Sequence, residues 1–81
     1  MNNSTTLLTE LKSGTRAVVR EMRGGRSILS RLSAMGLSVG SELEVLNNRG
    51  RGPLLVLVRD TRIALGRGEA QKIVVEELIG E

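Results

Sequence analysis

Acid–base, nucleophilic and metal chemistry draw on a few side-chain types, and this chain lacks two of the most useful. Its 81 residues include nine Asp or Glu and twelve Lys or Arg, but neither His nor Cys. No Ser-His or Cys-His pair can therefore form. Paired carboxylates are the remaining route to acid–base work. Glu42 and Glu44 share one face of a period-two segment, where the ordinary reading is a solvated strand face. Glu76 and Glu77 are neighbours that point to opposite faces of a strand and do not converge. Transition metals favour imidazole with carboxylate, or thiolate; this chain offers oxygen ligands scattered along its length. Gly24-Gly25 and Gly50-Arg51-Gly52 match neither a Walker A loop nor a dinucleotide fingerprint in spacing or lysine placement, and they read as turn glycines. The residues predict no enzyme, no catalytic or metal-ligating residue, no cofactor and no small-molecule substrate.

Arginine is the other candidate for chemistry. Arg16, Arg20, Arg23 and Arg26, then Arg49 and Arg51, could form basic patches that contact phosphates. Phe, Trp and Tyr are all absent, however, so no base can stack on an aromatic platform. The net charge is a mild +3, and the high isoelectric point, about 10.6, follows from the lack of His and Tyr. A small basic barrel binding nucleic acid non-specifically is the alternative reading, and nucleic acid is disfavoured. The missing aromatics also set aside recognition of proline-rich ligands, which dock in aromatic-lined grooves.

The elements that position these residues follow from the apolar pattern. The length predicts one domain, burying only about 60% of its unfolded surface. The longest apolar run, Leu54 to Val58, has five residues, far short of the roughly 20 of a membrane span. Residues 1–6 are polar and are expected to be a flexible N-terminus, without the basic start and apolar core of a signal peptide. Residues 7–81 are expected to form the domain. Leu8 and Leu11 should pin a short turn, capped by Thr9, to the core. Thr15 to Met22 alternates as a first strand.

Ile28, Leu29, Leu32 and Met35 fall at i, i+1, i+4 and i+7, on one face of a short helix. Gly25 and Ser27 are both candidate N-caps. Gly36 is placed to be the αL stop, with Leu37 at C″ over Leu32 at C3. Gly40 suits the positive-φ position of a type II turn over Ser38 to Ser41. From there Leu43 and Val45 alternate with Glu42 and Glu44 in a second strand. Asn47 to Pro53 is the strongest loop signal and is expected to be the most mobile internal segment. Leu54 to Arg59 reads as a strand buried on both faces, Asp60-Thr61 as a tight connection, and Arg62 to Leu65 as a fourth strand. A helical turn over Glu69 to Lys72 and a fifth strand, Ile73 to Leu78, complete the chain. Five short strands with one helix after the first predict a mainly β, small five-stranded SH3-like barrel.

The stretch from Arg31 to Val45 resembles the core signature of the FeoA family, small cytosolic proteins of bacterial ferrous-iron transport. The resemblance extends to Leu8–Gly14, Gly52-Pro53, Arg62–Gly66 and Ala70–Val75, about residues 7 to 78. Val39 departs from it, standing where the family usually has the proline that presets the turn. The resemblance implies an SH3-like barrel, also similar to the C-terminal domain of metal-dependent bacterial repressors. It further implies a cytoplasmic module, peripheral to the inner membrane through its partner, that binds and regulates or assembles a FeoB-like GTPase membrane protein. With no imidazole or thiolate, the chain itself is not expected to hold iron.

The candidate contact residues are Leu29, Arg31, Leu32 and Met35 on the helix and Arg49 and Arg51 in the loop. Gly36 and Gly40 are the structural turn residues. For Leu32 and Ile28, core packing is the competing reading; Leu29 and Met35 are the expected exposed pair. An apolar helix face on so small a domain also leaves room for a weak homodimer.

Overall fold

The computed structural model describes residues 5–79. Six antiparallel strands form one sheet: β1 (Thr5–Leu7), β2 (Arg16–Met22), β3 (Glu42–Asn47), β4 (Leu54–Val58), β5 (Thr61–Leu65) and β6 (Ile73–Glu77), in the order β1-β6-β2-β3-β4-β5. A 3₁₀ turn, Leu8–Glu10, follows β1. Helix α1 (Arg26–Ala34) joins β2 to β3, and the single-turn helix α2 (Arg67–Ala70) joins β5 to β6.

Alternation explains how a chain without aromatics encloses a core. Ala17 and Val19, Leu43 and Val45, Leu54, Val56 and Val58, Ile63 and Leu65, and Ile73 and Val75 turn inward from five strands. Leu8, Leu11, Leu32, Leu37 and Ala70 fill in from the connecting segments. No polar side chain is buried among the described residues, which spares so small a core the cost of desolvating one.

The sheet curls in barrel fashion, but β5 and β1 are not paired with each other, so its ladder stays open. Bulges assist the curl. In β2 the register against β6 shifts between Val19 and Glu21, and in β3 the register against β4 shifts between Val45 and Asn47. Each extra residue bends its strand and strengthens the local twist.

Four local expectations are revised. The mainly β, SH3-like architecture stands, but it has a sixth strand. Thr5 and Thr6, expected in the flexible N-terminus, pair with Glu76 and Val75; residues 1–4 and 80–81 lie outside the described residues. Leu54 to Val58 is not buried on both faces: Leu55 and Leu57 stay partly exposed. A sheet wrapped round one core has one interior, and period two sends every second residue outside. The N-terminal turn is a 3₁₀ segment entered from Leu7, with no side-chain cap. The hairpin between β4 and β5 turns on Arg59 and Asp60, with Thr61 already in β5.

Candidate docking surface

Helix α1 begins at Gly25, the extended residue before Arg26, without a side-chain cap. Its end is well determined. Gly36 has φ +95°, its N–H donates to the carbonyl of Ser33 at 2.9 Å, and that of Leu37 donates to Leu32 at 2.9 Å. These two bonds are the Schellman pair. Leu37 and Leu32, both buried, close the apolar contact beneath them. The chain then turns through Ser38–Ser41, where Ser41 N–H donates to Ser38 at 2.9 Å and Gly40 takes φ +95°. Gly40 N–H donates to the carbonyl of Val19, and Val19 N–H donates to that of Ser41, both at 2.8 Å. The helix stop is thereby fastened to β2.

This frame sorts the candidate helix residues. Leu32 is 1% exposed and lies inside the core, so it is corrected from contact residue to anchor. The i, i+4, i+7 set Ile28, Leu32 and Met35 faces inward, with Ile28 and Met35 partly buried against the core. Leu29 lies off that set, partly exposed and not packed against the core. Met35, expected to be exposed with Leu29, is more nearly a core-edge residue. Arg31 is exposed but engaged, forming an ion pair with Glu69 of α2. Glu69 also accepts the Gly66 N–H at 3.2 Å, so one carboxylate caps α2 and ties it to α1.

Sequence reasoning overlooked Val39 as a surface residue, though it is 62% exposed at position i+1 of the turn.

The loop between β3 and β4 is less free than its composition suggests. Asn48 donates its backbone N–H to Ser13 Oγ at 2.9 Å, and its Nδ2 donates to the carbonyls of Leu11 at 2.7 Å and Thr9 at 3.1 Å. Its Oδ1 accepts from Gly50 N–H at 3.0 Å and from Arg67 Nη2 at 2.8 Å. Arg67 Nε donates to the Gly52 carbonyl at 3.0 Å. Both ends of the amide meet complementary groups, so its orientation is fixed by the partners. Arg49 and Arg51 are exposed and form no ion pair among the described residues. They project from a loop braced at Asn48 and Arg67, two positions that spacing alone did not single out.

The carboxylates are placed for surface pairing. Glu42 lies 3.7 Å from Arg16 and Glu76 2.8 Å from Arg20. Glu21 accepts from Arg23 Nε at 3.0 Å and raises an arginine pKa that is already high. Among the described residues no three His, Cys, Asp or Glu side chains group as a metal site would require. An open cleft of about 420 Å³ lies between the end of α1 and the β4–β5 turn, lined by Ser33, Met35, Ser38, Arg59 and Thr61 among others. Among the described residues no carboxylate lines it. No described helix is long and apolar enough to cross a membrane.

These features define a class of protein: a small SH3-like barrel that presents a firmly stopped helix and a braced basic loop. The particular family follows from comparison. The FeoA domain family model matches residues 6–77, and the chain belongs to that family.

A curated protein of Methanocaldococcus jannaschii, named provisionally as Fe(2+) transport protein A, is 38% identical over 66 residues. The match covers 82% of this chain and 79% of that one. The crystal structure of an iron uptake regulatory protein (FeoA) superposes with TM-score 0.87 at 31% identity, covering 93% of this chain and all of that one. The solution structure of the FeoA protein from Chlorobium tepidum gives 0.85 at 32% identity, covering 94% and 73%. A manganese-dependent transcriptional repressor gives 0.84 at 26% identity, and there the chain spans 96% of itself but 44% of the repressor.

Proposed function

We propose that this chain is a non-enzymatic docking module that binds the cytosolic, GTPase-bearing part of a ferrous-iron transport membrane protein and regulates or assembles it. The observation that carries the reading is the division of labour on α1. Leu32 alone is fully buried, Ile28 and Met35 steady the helix, and Leu29 is left clear of the core. Helix-face recognition uses such apolar anchors on a rigid support. Membership of the FeoA family, and the Fe(2+) transport name of the archaeal relative, support the choice of partner. Arg49 and Arg51 on their braced loop supply a second contact, suited to acidic groups. The module works in the cytoplasm and reaches the inner membrane through its partner.

The test is calorimetric titration of this protein into the purified cytosolic domain of the ferrous-iron transport protein from the same organism. Binding is expected, with Leu29→Asp weakening it at least about tenfold, near 1.4 kcal/mol, while the melting temperature holds. Arg49→Glu with Arg51→Glu should weaken it and reduce its salt dependence. Absence of binding at about 100 μM, where even a weak complex registers, would refute the proposal. So would equal affinity of Leu29→Asp and the parent protein.

A further inference from the structure

The edge of the sheet at β5 is built to accept another strand. Val58 and Thr61 flank a two-residue turn, and such a hairpin closes on a hydrogen-bonded pair. Alternation then directs the backbone groups of Thr61, Ile63 and Leu65 toward β4, and those of Arg62 and Ala64 away from it. No backbone hydrogen bond reaches Arg62 or Ala64 from the turns, loops or caps among the described residues. Both residues are exposed, while Ile63 and Leu65 are buried and hold the strand in place. The opposite edge, β1, has three residues and offers a shorter template.

Side chains on the outer face specify what would pair there. One cross-strand row runs Arg16, Glu44, Leu57, Arg62. It ends at the edge with a guanidinium that has no ion-pair partner among the described residues. The next row runs Asn47, Leu55, Ala64 and ends in a small apolar residue beside a partly exposed leucine. Arg59, at the end of the edge, adds a second cation with no ion-pair partner among the described residues. It occupies the first central position of the turn at φ +58°, where glycine is the ordinary occupant. Asp60, the carboxylate on that turn, pairs with neither arginine.

We infer that β5 binds an extended acidic segment of another polypeptide, added antiparallel to the sheet, with a carboxylate beside Arg62 and an apolar side chain beside Ala64. Read N- to C-terminal, the recognised pattern is an apolar residue, any residue, then Glu or Asp. Main-chain bonds supply the affinity of such an added strand and the alternate side chains its selectivity. A second copy of this chain fits poorly. Pairing two β5 edges in the register that engages both Arg62 and Ala64 would set the Arg62 side chains of both copies on one outer face two residues apart, in a chain of net charge +3. The inference stands apart from the docking role of α1, because it concerns a different face and holds whichever protein supplies the segment.

The probe is an acetylated, amidated peptide, Thr-Val-Val-Glu-Thr-Glu, added to isotopically labelled full-length protein and followed by amide chemical shifts and hydrogen exchange. Shifts are expected along β5 and β4, with exchange at the Arg62 and Ala64 amides slowed at least about tenfold. The same peptide with lysine for glutamate should leave them unchanged. Ala64→Pro removes an outward N–H, a substitution sheet edges tolerate, and should abolish the shifts. Arg62→Glu should reverse the preference between the two peptides. Three results would each overturn the inference: no shifts with the acidic peptide, shifts confined to α1, or slowed exchange at Arg62 and Ala64 with rising protein concentration and no peptide.

Discussion

Asn48→Ala is the most informative single perturbation of the fold. The side chain makes four hydrogen bonds: two donated to the carbonyls of Thr9 and Leu11, and two accepted from Gly50 and Arg67. The bond from Gly50 is exposed, and water replaces it in the variant. The other three are partly buried, and each contributes about 1 kcal/mol net. Summed, with allowance for coupling through one amide, the loss is about 2–3 kcal/mol. An 81-residue domain has roughly 4–12 kcal/mol of stability in all. In a domain of this size each kcal/mol lowers the melting temperature by about 4–8 °C, so the expected drop is about 10–20 °C.

Urea denaturation with a parallel thermal melt measures it. Asn48→Asp sharpens the test. It keeps the oxygen that faces Arg67 but sets a second oxygen against two carbonyls, so it should be destabilised as well, in spite of the added charge pair. A change below about 0.5 kcal/mol in Asn48→Ala, the range of ordinary surface substitutions, would refute the view that this amide braces the loop. So would an Asn48→Asp variant as stable as the parent.

Three further substitutions test the helix. Gly36→Val should cost more than about 1–2 kcal/mol, the ordinary strain of an L-residue in the left-handed region. An added Cβ meets nothing within 4 Å at φ +95°, so backbone strain is the expected cause, and an unchanged melting temperature would contradict the αL assignment. Leu32→Ala should lower stability by about 2–5 kcal/mol, and Leu29→Ala by under about 1 kcal/mol; denaturant midpoints showing similar losses would mean that Leu29 packs into the core after all.

The Schellman stop illustrates what local sequence determines. Gly36, Leu37 and Leu32 stand at the spacings of a Schellman stop, and glycine, lacking a Cβ, takes the left-handed conformation at least cost. The Ser38–Ser41 turn and the alternation of Leu43 and Val45 are set in the same way, by dihedral preference and period two. These are properties of a few adjacent residues, and they made the mainly β architecture and its helix legible in the chain.

What lay beyond the sequence depends on residues far apart in it. Thr5 and Thr6 read as the end of a polar N-terminal segment, and the pairing of Thr5–Leu7 with β6 is a contact across some 70 positions that propensity does not encode. Asn48 reads as a turn former until the fold brings Leu11, Ser13 and Arg67 around it. Arg31 reads as a free cation until α2 presents Glu69. For Leu32 and Leu29 the helical period gave both an apolar face; docking the helix on a finite core then chose which one was buried. The sequence by itself determined the local stops, turns and alternation, because those rest on backbone sterics within a few residues. Tertiary structure alone decided which side chains remain available to a partner, because availability is whatever long-range packing and pairing leave unused.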